Sequence, residues 1–408
     1  MHRIASTGQE AAISDATFPL TGIKVVAFEQ AVAAPLCTRH LADLGADVVK
    51  IERIGEGDFA RGYDSAVKGT ATWFAWLNRR KRSLTLDVKQ PQGREVAEKL
   101  VAGADVVVQN FAPGAFDRLG LGVGQLHERY PGLIAVSITG YGEDGPYRDR
   151  RAYDLLVQGE AGVVSITGTP EEPARAGVSV ADIAGGMYAF SAVLASLYRR
   201  KETGEGATIR VSLFDSLMEW MSPLSLMATH GSHPKRAGAR HTSIVPYGPF
   251  PVAGGKEVML AVQNEREWER LCQKVLDRPD LAADGRFSGN ENRLTNRLEL
   301  EQEIEMALMR LSLEEAEARL EAAQVPYGRL NDVADVLRHP QVLSRGRLLE
   351  TGLPGGQRAD LLRMPFNIEG LEETASEVPE VGQHTDAVLS ELCYAAAEIA
   401  ALRAAKAV

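Results

Sequence analysis

The sequence predicts a large α/β domain with an open parallel sheet, joined to a smaller α+β domain. Two observations support this fold class. Short β-branched apolar runs alternate with segments of helical period through the N-terminal half, whereas the middle of the chain carries a glycine-turn hairpin followed by helices. A length of 408 residues fits two or three domains, and 45% hydrophobic with 25% charged residues is the balance of a globular protein.

The N-terminal half contains repeated strand–helix units. Helical spacing is found at 35–44 and 92–101, and glycine, proline or asparagine marks the joins. Repeated βα units favour a parallel sheet covered by helices on both faces, in a Rossmann-like arrangement. The apolar runs typical of strands are 23–28, 47–51, 83–88, 105–108 and 133–138.

The middle of the chain changes character. Residues 250–253 and 258–262 flank Gly254 and Gly255, which predicts a β-hairpin. Helical spacing follows at 265–276, and Ser312 with a glutamate three positions later forms a capping box that opens a helix to about 323. The predicted order is therefore a flexible N-terminal tail, a large domain, a small domain, and a C-terminal return to the large domain that ends in one long helix over 384–405. The boundaries are 1–18, 19–225, 226–340 and 341–408.

Composition excludes several classes of function. A net charge of −10 disfavours non-specific nucleic-acid binding. The three cysteines, Cys37, Cys272 and Cys393, are far apart and lack zinc-type spacing, so we expect reduced thiols and no metal site. The N-terminus has no apolar signal segment, and the longest apolar stretch, 187–198, is too short to span a bilayer. We expect a cytoplasmic protein with no membrane partner and a buried helix at that stretch.

Strong catalytic signatures are missing from the sequence. There is no P-loop, HExxH or GxSxG motif, and the glycines at 120–124 do not have dinucleotide-binding spacing. The first predicted βα turn, 29–35, contains no glycine. That composition argues against a nicotinamide dinucleotide on the usual glycine turn, and we expect no redox cofactor.

Asp182 is the first candidate nucleophile. It precedes a long apolar segment, so one interpretation is a helix N-cap whose carboxylate accepts orphan N–H groups. The other interpretation uses the same geometry, because a helix N-terminus favours an ionised and therefore nucleophilic carboxylate. Gly185 and Gly186 then allow a ligand to approach the backbone closely.

Further candidates are an acidic residue and a set of cations. Asp154, after Tyr153, is either a turn aspartate or a carboxylate of the same cleft, and Tyr153 is a candidate phenol there. The cations are either a solvated charged face or contacts to a ligand with several phosphates, which needs more than one positive charge. They are Arg53, the run 79–82, Lys89 and Arg118.

Together these residues resemble those of the class III CoA-transferases, the family that includes formyl-CoA transferase, carnitine CoA-transferase and α-methylacyl-CoA racemase. The resemblance runs from about Leu20 to the C-terminus. Each matching stretch is weakly specific alone, and the set is highly specific. The stretches are 44–52, Gly57-Asp58, 78–83, 110–114, Gly140-Tyr-Gly with Gly145-Pro146, and Asp182 with Gly185.

The resemblance implies a mechanism and an assembly. Asp182 would attack an acyl-CoA to give an acyl-aspartyl anhydride and then an aspartyl-CoA thioester, from which the acceptor acid takes the CoA. Asp154 corresponds to a second carboxylate of formyl-CoA transferase. Coenzyme A would bind to the large domain as a substrate. Two chains would interlock as a homodimer, with sites formed between subunits.

The CoA contacts carry over residue by residue. Arg151 replaces a lysine and keeps its charge, whereas Val32 replaces a glutamine of formyl-CoA transferase. The glycine-rich loop of that enzyme also has no counterpart here, and both departures argue against a formyl/oxalate enzyme. The residues implied to line the CoA site are Val32, Ala33, Arg53, Leu86, Lys89, Asn110, Phe111, Arg118 and Arg151.

Two other functions stay open at this point. Racemases of the family use a histidine that would fall at Tyr153, and a tyrosine with an unperturbed pKa of about 10 is a poor base near neutrality. This difference favours transfer over racemisation at an α-carbon. The third alternative is a non-catalytic CoA-binding protein, for which Asp182 would be dispensable.

The stretches 240–250 and 263–268 resemble members acting on C5 dicarboxylates such as itaconate, mesaconate or citramalate. Such an acceptor keeps one free carboxylate, which needs a cation nearby. Arg39, Arg240 or His241 could supply it, although His241 is equally well a structural loop histidine. The expected reaction is transfer from succinyl-CoA to itaconate.

Overall fold

The computed structural model describes residues 18–374 and 376–408, and these form two compact units. The first unit extends to Val157 and also contains 179–219 and 346–408, whereas the second contains 158–178 and 220–345. Segment 158–178, expected in the large domain, thus groups with the second unit. Apart from Phe18, the predicted tail over 1–18 lies outside the described residues.

The strands are short, and most of them come close to the apolar runs of the sequence. In chain order they are Lys24–Phe28 (β1), Asp47–Glu52 (β2), Lys81–Thr85 (β3), Val106–Gln109 (β4), Ile134–Thr139 (β5), Ala207–Ser212 (β6), Tyr247–Pro251 (β7), Glu257–Ala261 (β8), Tyr327–Arg329 (β9), Leu348–Leu353 (β10), Gln357–Leu362 (β11) and Ser376–Glu377 (β12).

Helices connect and cover these strands. In chain order they are Ala33–Asp43 (α1), Thr72–Asn78 (α2), Pro91–Ala102 (α3), Ala115–Arg118 (α4), Val123–Arg129 (α5), Asp154–Glu160 (α6), Val163–Ile166 (α7), Val180–Thr203 (α8), Leu213–Trp220 (α9), Ser222–Thr229 (α10), Glu265–Arg270 (α11), Pro279–Ala283 (α12), Asn290–Thr295 (α13), Arg297–Leu308 (α14), Leu313–Ala323 (α15), Val333–Leu337 (α16), Pro340–Ser344 (α17), Thr385–Glu391 (α18) and Ala396–Ala404 (α19).

The first unit is built on a six-stranded parallel sheet with the order β3-β2-β1-β4-β5-β6. Val26 of the central strand β1 pairs with Val49 of β2 and with Val107 of β4. Successive residues of β1 point to opposite faces of the sheet, and because both sets are apolar, helices must pack on both faces. The face bearing Val26 and Phe28 packs in one core with residues of α3, α5, α18 and α19, and α1 and α8 contact the sheet as well. The predicted α/β fold with an open parallel sheet is confirmed.

Helix α8 is longer than the apolar stretch suggested. It covers 24 residues and is long and apolar enough, by length and composition alone, to cross a membrane. In the structure it packs along α1 and against β5 and β6, and Ala184, Ala189 and Val193 are buried. These contacts are those of a core helix of the α/β unit.

Two parts of the first unit differ from the prediction. Strand β6 was missed because it is an edge strand in which only Ser212 is fully buried, so the apolar run of a central strand is missing. The prediction of one long C-terminal helix is wrong, because the helical conformation is interrupted between α18 and α19. Cys393 adopts a left-handed conformation with φ of 66°, and the carboxylate of Glu398 accepts the N–H of Ala395 at 2.7 Å to start the second helix.

The second unit contains the predicted hairpin, β7 with β8, which β9 extends to an antiparallel three-stranded sheet. Trp268, Phe250 and Ile304 are buried in its core. The predicted capping box is present, since the Ser312 hydroxyl and the Glu315 carboxylate bond each other's backbone N–H groups. In the C-terminal return, β11, β10 and β12 form another small sheet.

Candidate active site

The carboxyl ends of the parallel strands meet at one edge of the sheet, and the sheet reverses its order between β1 and β4. In open α/β sheets the crevice for ligands lies outside this reversal point. The loop that follows β1, residues 29–32, and the start of the loop after β4 are joined there by Asn110. Its side chain accepts the N–H of Gln30 at 3.0 Å and donates to the Gln30 carbonyl at 2.9 Å.

The two predicted carboxylates lie together at this edge. Helix α8 begins with Ser179 at the N-cap, but the serine side chain makes no capping hydrogen bond. The capping acceptor is the carboxylate of Asp154, the first residue of α6. Its Oδ1 accepts the N–H of Ala181 at 2.8 Å and that of Asp182 at 3.2 Å. Asp182 is therefore in the first turn of α8 and is not its N-cap. We call Asp182 and Asp154 the acid pair.

The electrostatics of the acid pair differ from the expectation for Asp182. Burial, and then the negative charge of Asp154, raise the pKa of Asp182 to about 7. The N–H groups that were expected to keep Asp182 ionised are bonded to Asp154. At neutral pH a large fraction of the Asp182 side chains is protonated, and the ionised fraction is more basic than an ordinary aspartate.

Two tyrosines complete this group. Tyr153 is 69% exposed, next to Asp154 in the chain. Tyr63, which the sequence did not single out, is half-exposed, and its pKa is raised to about 12 by burial and by the negative charges of Asp58 and Asp182. In the sequence, Tyr63 lies shortly after Gly57-Asp58, one of the stretches that carry the family resemblance.

An apolar cluster lies on the same side of α1 and α8. Val32, Leu36 and Leu77 are buried in it, and other side chains pack around them half-buried. The rings of Trp73 and Trp76 meet edge to face at 5.6 Å. We call the following set the apolar wall: Val32, Trp73, Trp76, Ile183 and Met187. Ile183 follows Asp182 directly in α8, so this wall begins one residue after the candidate nucleophile.

The residues predicted to bind CoA follow several different strands of this sheet. Val32 and Ala33 follow β1, and both are buried. Leu86 is buried after β3, and Phe111 is half-buried after β4, with its ring 5.9 Å from that of Phe116. The four predicted cations are exposed and come after β2, β3, β4 and β5, so they are free to meet a polyanionic ligand; they are Arg53, Lys89, Arg118 and Arg151.

The sequence profile described as CoA-transferase family III matches residues 20–385. This chain belongs to that family, and it is a CoA-transferase.

Characterised relatives share most of its length. Succinyl-CoA:glutarate CoA-transferase of Homo sapiens is 34% identical over 382 residues, which cover 92% of this chain and 86% of the relative. Succinate–glutarate CoA-transferase of Agrobacterium fabrum is 34% identical over 384 residues, covering 92% and 96%. A CaiB/BaiF family protein from Brucella suis has a similar crystal structure, with a TM-score of 0.78, 36% identity, and coverage of 92% and 100%.

Gly185 and Gly186 do not face a ligand. A Cβ atom at Gly185 would lie 2.5 Å from Cδ2 of Leu213, and one at Gly186 would lie 2.5 Å from the carbonyl oxygen of Ala33. Both glycines are buried. The structure thus corrects the interpretation of these residues: they lack side chains because α8 packs closely on α1 and α9.

The predicted substrate cations already have partners. Arg39 is buried and donates to Asp43 at 2.8 Å. Arg240, in the second unit, donates to Glu301 at 2.8 Å and to Glu305 at 2.6 Å. Because both guanidinium groups are neutralised in this way, neither is an unpaired cation for an acceptor carboxylate.

His241, also in the second unit, is a loop histidine with structural contacts. Its ring stacks on Tyr247 with centroids 5.2 Å apart, and its Nδ1 accepts the N–H of Ser243 at 3.1 Å. Burial and the positive charge of Arg297 lower the pKa of His241, which keeps the imidazole neutral near pH 7.

The enzymes of this family take acyl-CoA as a substrate. Among residues 18–374 and 376–408, no group of three or more histidine, cysteine, aspartate or glutamate side chains is arranged to hold a metal ion.

Proposed function

We propose that this enzyme transfers CoA from succinyl-CoA to a C5 dicarboxylic acid, with Asp182 as the covalent nucleophile. The observation that carries the proposal is the acid pair: a half-buried carboxyl with a pKa of about 7 in the first turn of α8, hydrogen-bonded through its backbone to Asp154 and next in the chain to Ile183 of the apolar wall. A carboxylate with this pKa is a stronger nucleophile than an ordinary aspartate and is still substantially ionised at neutral pH.

The proposed reaction proceeds in four exchanges. The Asp182 carboxylate attacks the thioester carbonyl, and CoA thiolate leaves, which gives a mixed anhydride. The thiolate attacks the aspartyl carbonyl, forms an aspartyl-CoA thioester and releases succinate. The acceptor carboxylate displaces the thiolate to form a second anhydride. Attack of the thiolate on the acceptor's carbonyl gives the new acyl-CoA and restores the Asp182 carboxylate. One thioester replaces another, so the overall free-energy change is small.

The surroundings of Asp182 suit these steps. Asp154 fixes the first turn of α8 through two hydrogen bonds to its backbone, and so it orients the carboxyl of Asp182. The apolar wall keeps water from an anhydride that water would hydrolyse. The exposed cations Arg53, Lys89 and Arg118 are suited to the phosphates of CoA.

The proposal for the acceptor rests on two agreeing lines of support. The stretches 240–250 and 263–268 resemble those of members that act on C5 dicarboxylates. Two relatives are named for glutarate, which is itself a C5 dicarboxylate, and both names include succinyl-CoA or succinate. Within this class, itaconate is the acceptor that the sequence analysis favours.

An acceptor panel tests the proposed function. Succinyl-CoA is incubated with the enzyme and with itaconate, mesaconate, citramalate, glutarate, oxalate or the monocarboxylate valerate, and the acyl-CoA products are measured by mass spectrometry. We expect kcat/KM for at least one C5 dicarboxylate to exceed that for valerate and oxalate by about tenfold or more, since a second carboxylate is recognised by polar groups. Equal rates for valerate and all the C5 diacids would overturn the acceptor class.

We further propose that the enzyme works as a homodimer, as the resemblance implies. Segment 330–343 in the second unit exposes several large apolar side chains, and Val333 is 83% exposed. Exposed apolar patches of this kind mark interaction surfaces. In the first unit, α8 leaves Tyr198 75% exposed. The other exposed apolar residues of the segment are Leu330, Val336, Leu337 and Leu343.

Light scattering after size exclusion tests the assembly. The native enzyme should have the mass of two chains, and Val333→Asp with Leu337→Asp should shift it towards one chain because a buried charge disfavours the interface. As a matched control, Arg338→Asp alters the same helix end at an exposed, already charged position. A native mass of one chain would contradict the dimer.

A further inference from the structure

Four charged side chains form a buried network beneath the loop that follows β1. Glu29 Oε2 accepts from Thr38 Oγ1 at 2.6 Å, and Glu29 Oε1 accepts from Lys81 Nζ at 2.6 Å. Lys50 Nζ lies 3.4 Å from the same Oε1 atom. Lys50 also donates to Asp58 Oδ2 at 2.8 Å. We call Glu29, Lys50, Asp58 and Lys81 the buried charge network; each of them is at most 3% exposed.

The network ends on the backbone of the loop over 29–32. Asp58 Oδ1 accepts the N–H of Ala31 at 3.2 Å and that of Ala60 at 2.9 Å. Ala31 has a φ of 63°, a left-handed conformation that costs a non-glycine residue on the order of 1 kcal/mol or more. Such a conformation persists only where neighbouring groups fix it. Asp58 and the two hydrogen bonds of Asn110 to Gln30 are those groups.

The fixed loop leads directly to the nucleophile. Ala31 and Val32 pack in the same apolar cluster as Ile183 and Met187 of α8, and Ile183 follows Asp182. Helix α1 continues from this loop and approaches α8 so closely that only glycine fits at position 186. A shift of the backbone at Ala31 therefore moves Val32 of the apolar wall relative to the first turns of α8, which carry Asp182.

Stability alone is a weak explanation for the network. Burying four charges costs several kcal/mol per ion, and apolar replacements of such sets are often neutral or stabilising. Two acids and two bases compensate each other here, and burial keeps all four side chains away from substrate. Burial would raise the pKa of Glu29, but Lys81 and Lys50 lower it below its ordinary value, so the carboxylate stays charged and holds its partners.

We infer that Glu29, Lys50, Asp58 and Lys81 are positioning residues of the transfer reaction, which hold Ala31 in its left-handed conformation and so set the apolar wall against Asp182. This inference rests on the proposed function, in which Asp182 is the nucleophile. It assigns no chemistry to the four residues themselves. Their effect reaches the substrate through the backbone of the loop over 29–32.

The test compares Asp58→Asn with Asp43→Asn. Both replace a buried, ion-paired aspartate by its amide, but Asp43 bonds Arg39 and Arg79 at the far end of α1 and makes no contact with the loop. The measurement is the single-turnover rate of acylation of Asp182 by succinyl-CoA, at a temperature where circular dichroism finds every variant folded. We expect Asp58→Asn to slow acylation by about tenfold to a hundredfold, and Asp43→Asn to stay within about threefold of the wild-type rate, like other changes remote from a site.

Suppression by glycine makes the test specific. Glycine adopts positive φ without strain, so Ala31→Gly should restore most of the acylation rate in the Asp58→Asn background and change the wild-type rate by less than about threefold. Equal rates for Asp58→Asn and Asp43→Asn, or no rescue by Ala31→Gly, would overturn the inference. If the wild-type enzyme itself forms no adduct on Asp182, the proposed function fails instead, and the two failures are thereby distinguished.

A second pair of variants covers the case in which Asp58→Asn does not fold. Ala31→Val leaves every buried charge in place but puts a β-branched residue in the left-handed region, where it is strongly disfavoured. It should slow acylation at least about tenfold relative to Ala31→Gly. Identical acylation rates for the two substitutions would remove the basis for the positioning role.

Discussion

Two groups of buried or half-buried carboxyls lie near the same edge of the sheet, and their electrostatics are opposite. In the buried charge network, Lys81 and Lys50 keep the pKa of Glu29 low despite burial. In the acid pair, burial and then the negative charge of Asp154 raise the pKa of Asp182 to about 7. Both side chains are carboxyls whose pKa burial alone would raise, so the charged partners decide the difference. A carboxylate neutralised by lysines is a structural anchor, whereas one destabilised by a second carboxylate is available to react.

The largest effect on activity should come from replacing Asp182, the reactive carboxyl of the acid pair. Asp182→Asn keeps the shape of the side chain but removes the nucleophile, so kcat for CoA transfer should fall by roughly 10³-fold or more. Steady-state assays with succinyl-CoA measure this. The matched control is Asp386→Asn, which breaks an exposed ion pair with Arg403 on the C-terminal helices and should keep full activity. A rate within tenfold of wild type for Asp182→Asn would refute the nucleophile.

The second effect concerns pH. Because Asp182 must be ionised to attack, kcat/KM for succinyl-CoA should rise with pH around a midpoint of about 7. Asp154→Asn removes the neighbouring negative charge but retains an oxygen that can accept the N–H groups of Ala181 and Asp182. The midpoint should then move to lower pH by about one unit. A midpoint that is unchanged in Asp154→Asn would show that the two carboxyls are not coupled.

A smaller effect should separate exposed cations from paired ones. Arg118→Ala should raise KM for the CoA thioester about fivefold, in line with the loss of roughly 1 kcal/mol from one exposed phosphate contact, and leave KM for the acceptor acid unchanged. Arg82 is the control, because Asp47 and Glu391 already neutralise it. Arg82→Ala should not alter KM for either substrate. Equal KM values for Arg118→Ala and the wild-type enzyme would remove Arg118 from the CoA site.

The smallest effect is on stability. Because the pKa of Asp182 is raised, the folded enzyme keeps a proton on this carboxyl to higher pH than the unfolded chain does. The free energy of unfolding therefore decreases through this group as the pH rises from about 4 to about 7. Asp182→Asn removes that cost. The free energy of unfolding of Asp182→Asn minus that of the wild type should increase by about 1–2 kcal/mol between pH 5 and pH 8, because solvent at the partly exposed carboxyl reduces the effect. Denaturant titrations at both pH values measure it, and a difference independent of pH would contradict the raised pKa.

The central sheet could be predicted from sequence because its strands are buried on both faces. Strands β1, β4 and β5 are nearly continuous apolar runs, which predict buried strands from sequence alone. The half-exposed edge strand β6 has no such run and was missed. Assignment of 158–178 to the second unit depends on contacts between distant parts of the chain, which local periodicity does not contain.

The site was predicted in part, for a similar reason. Asp182 and Asp154 were found from helix-start chemistry and from resemblance, but which of the two caps α8 depends on a hydrogen bond between residues 27 positions apart. Tyr63, Trp73 and Trp76 are aromatic residues without a distinctive local pattern. Only folding brings Tyr63 near Asp182 and packs the two tryptophans in one cluster with Ile183. Arg39 and Arg240 looked like free cations because a sequence does not reveal their carboxylate partners.

Trapping of the covalent intermediate tests the central claim most directly. The enzyme is incubated with succinyl-CoA, its intact mass is measured, and hydroxylamine treatment with peptide mapping locates the modified residue. We expect an adduct on Asp182 that a C5 dicarboxylate discharges as a new CoA thioester, and no adduct in Asp182→Asn. An adduct on another residue, or CoA transfer at a normal rate without any covalent intermediate, would contradict it.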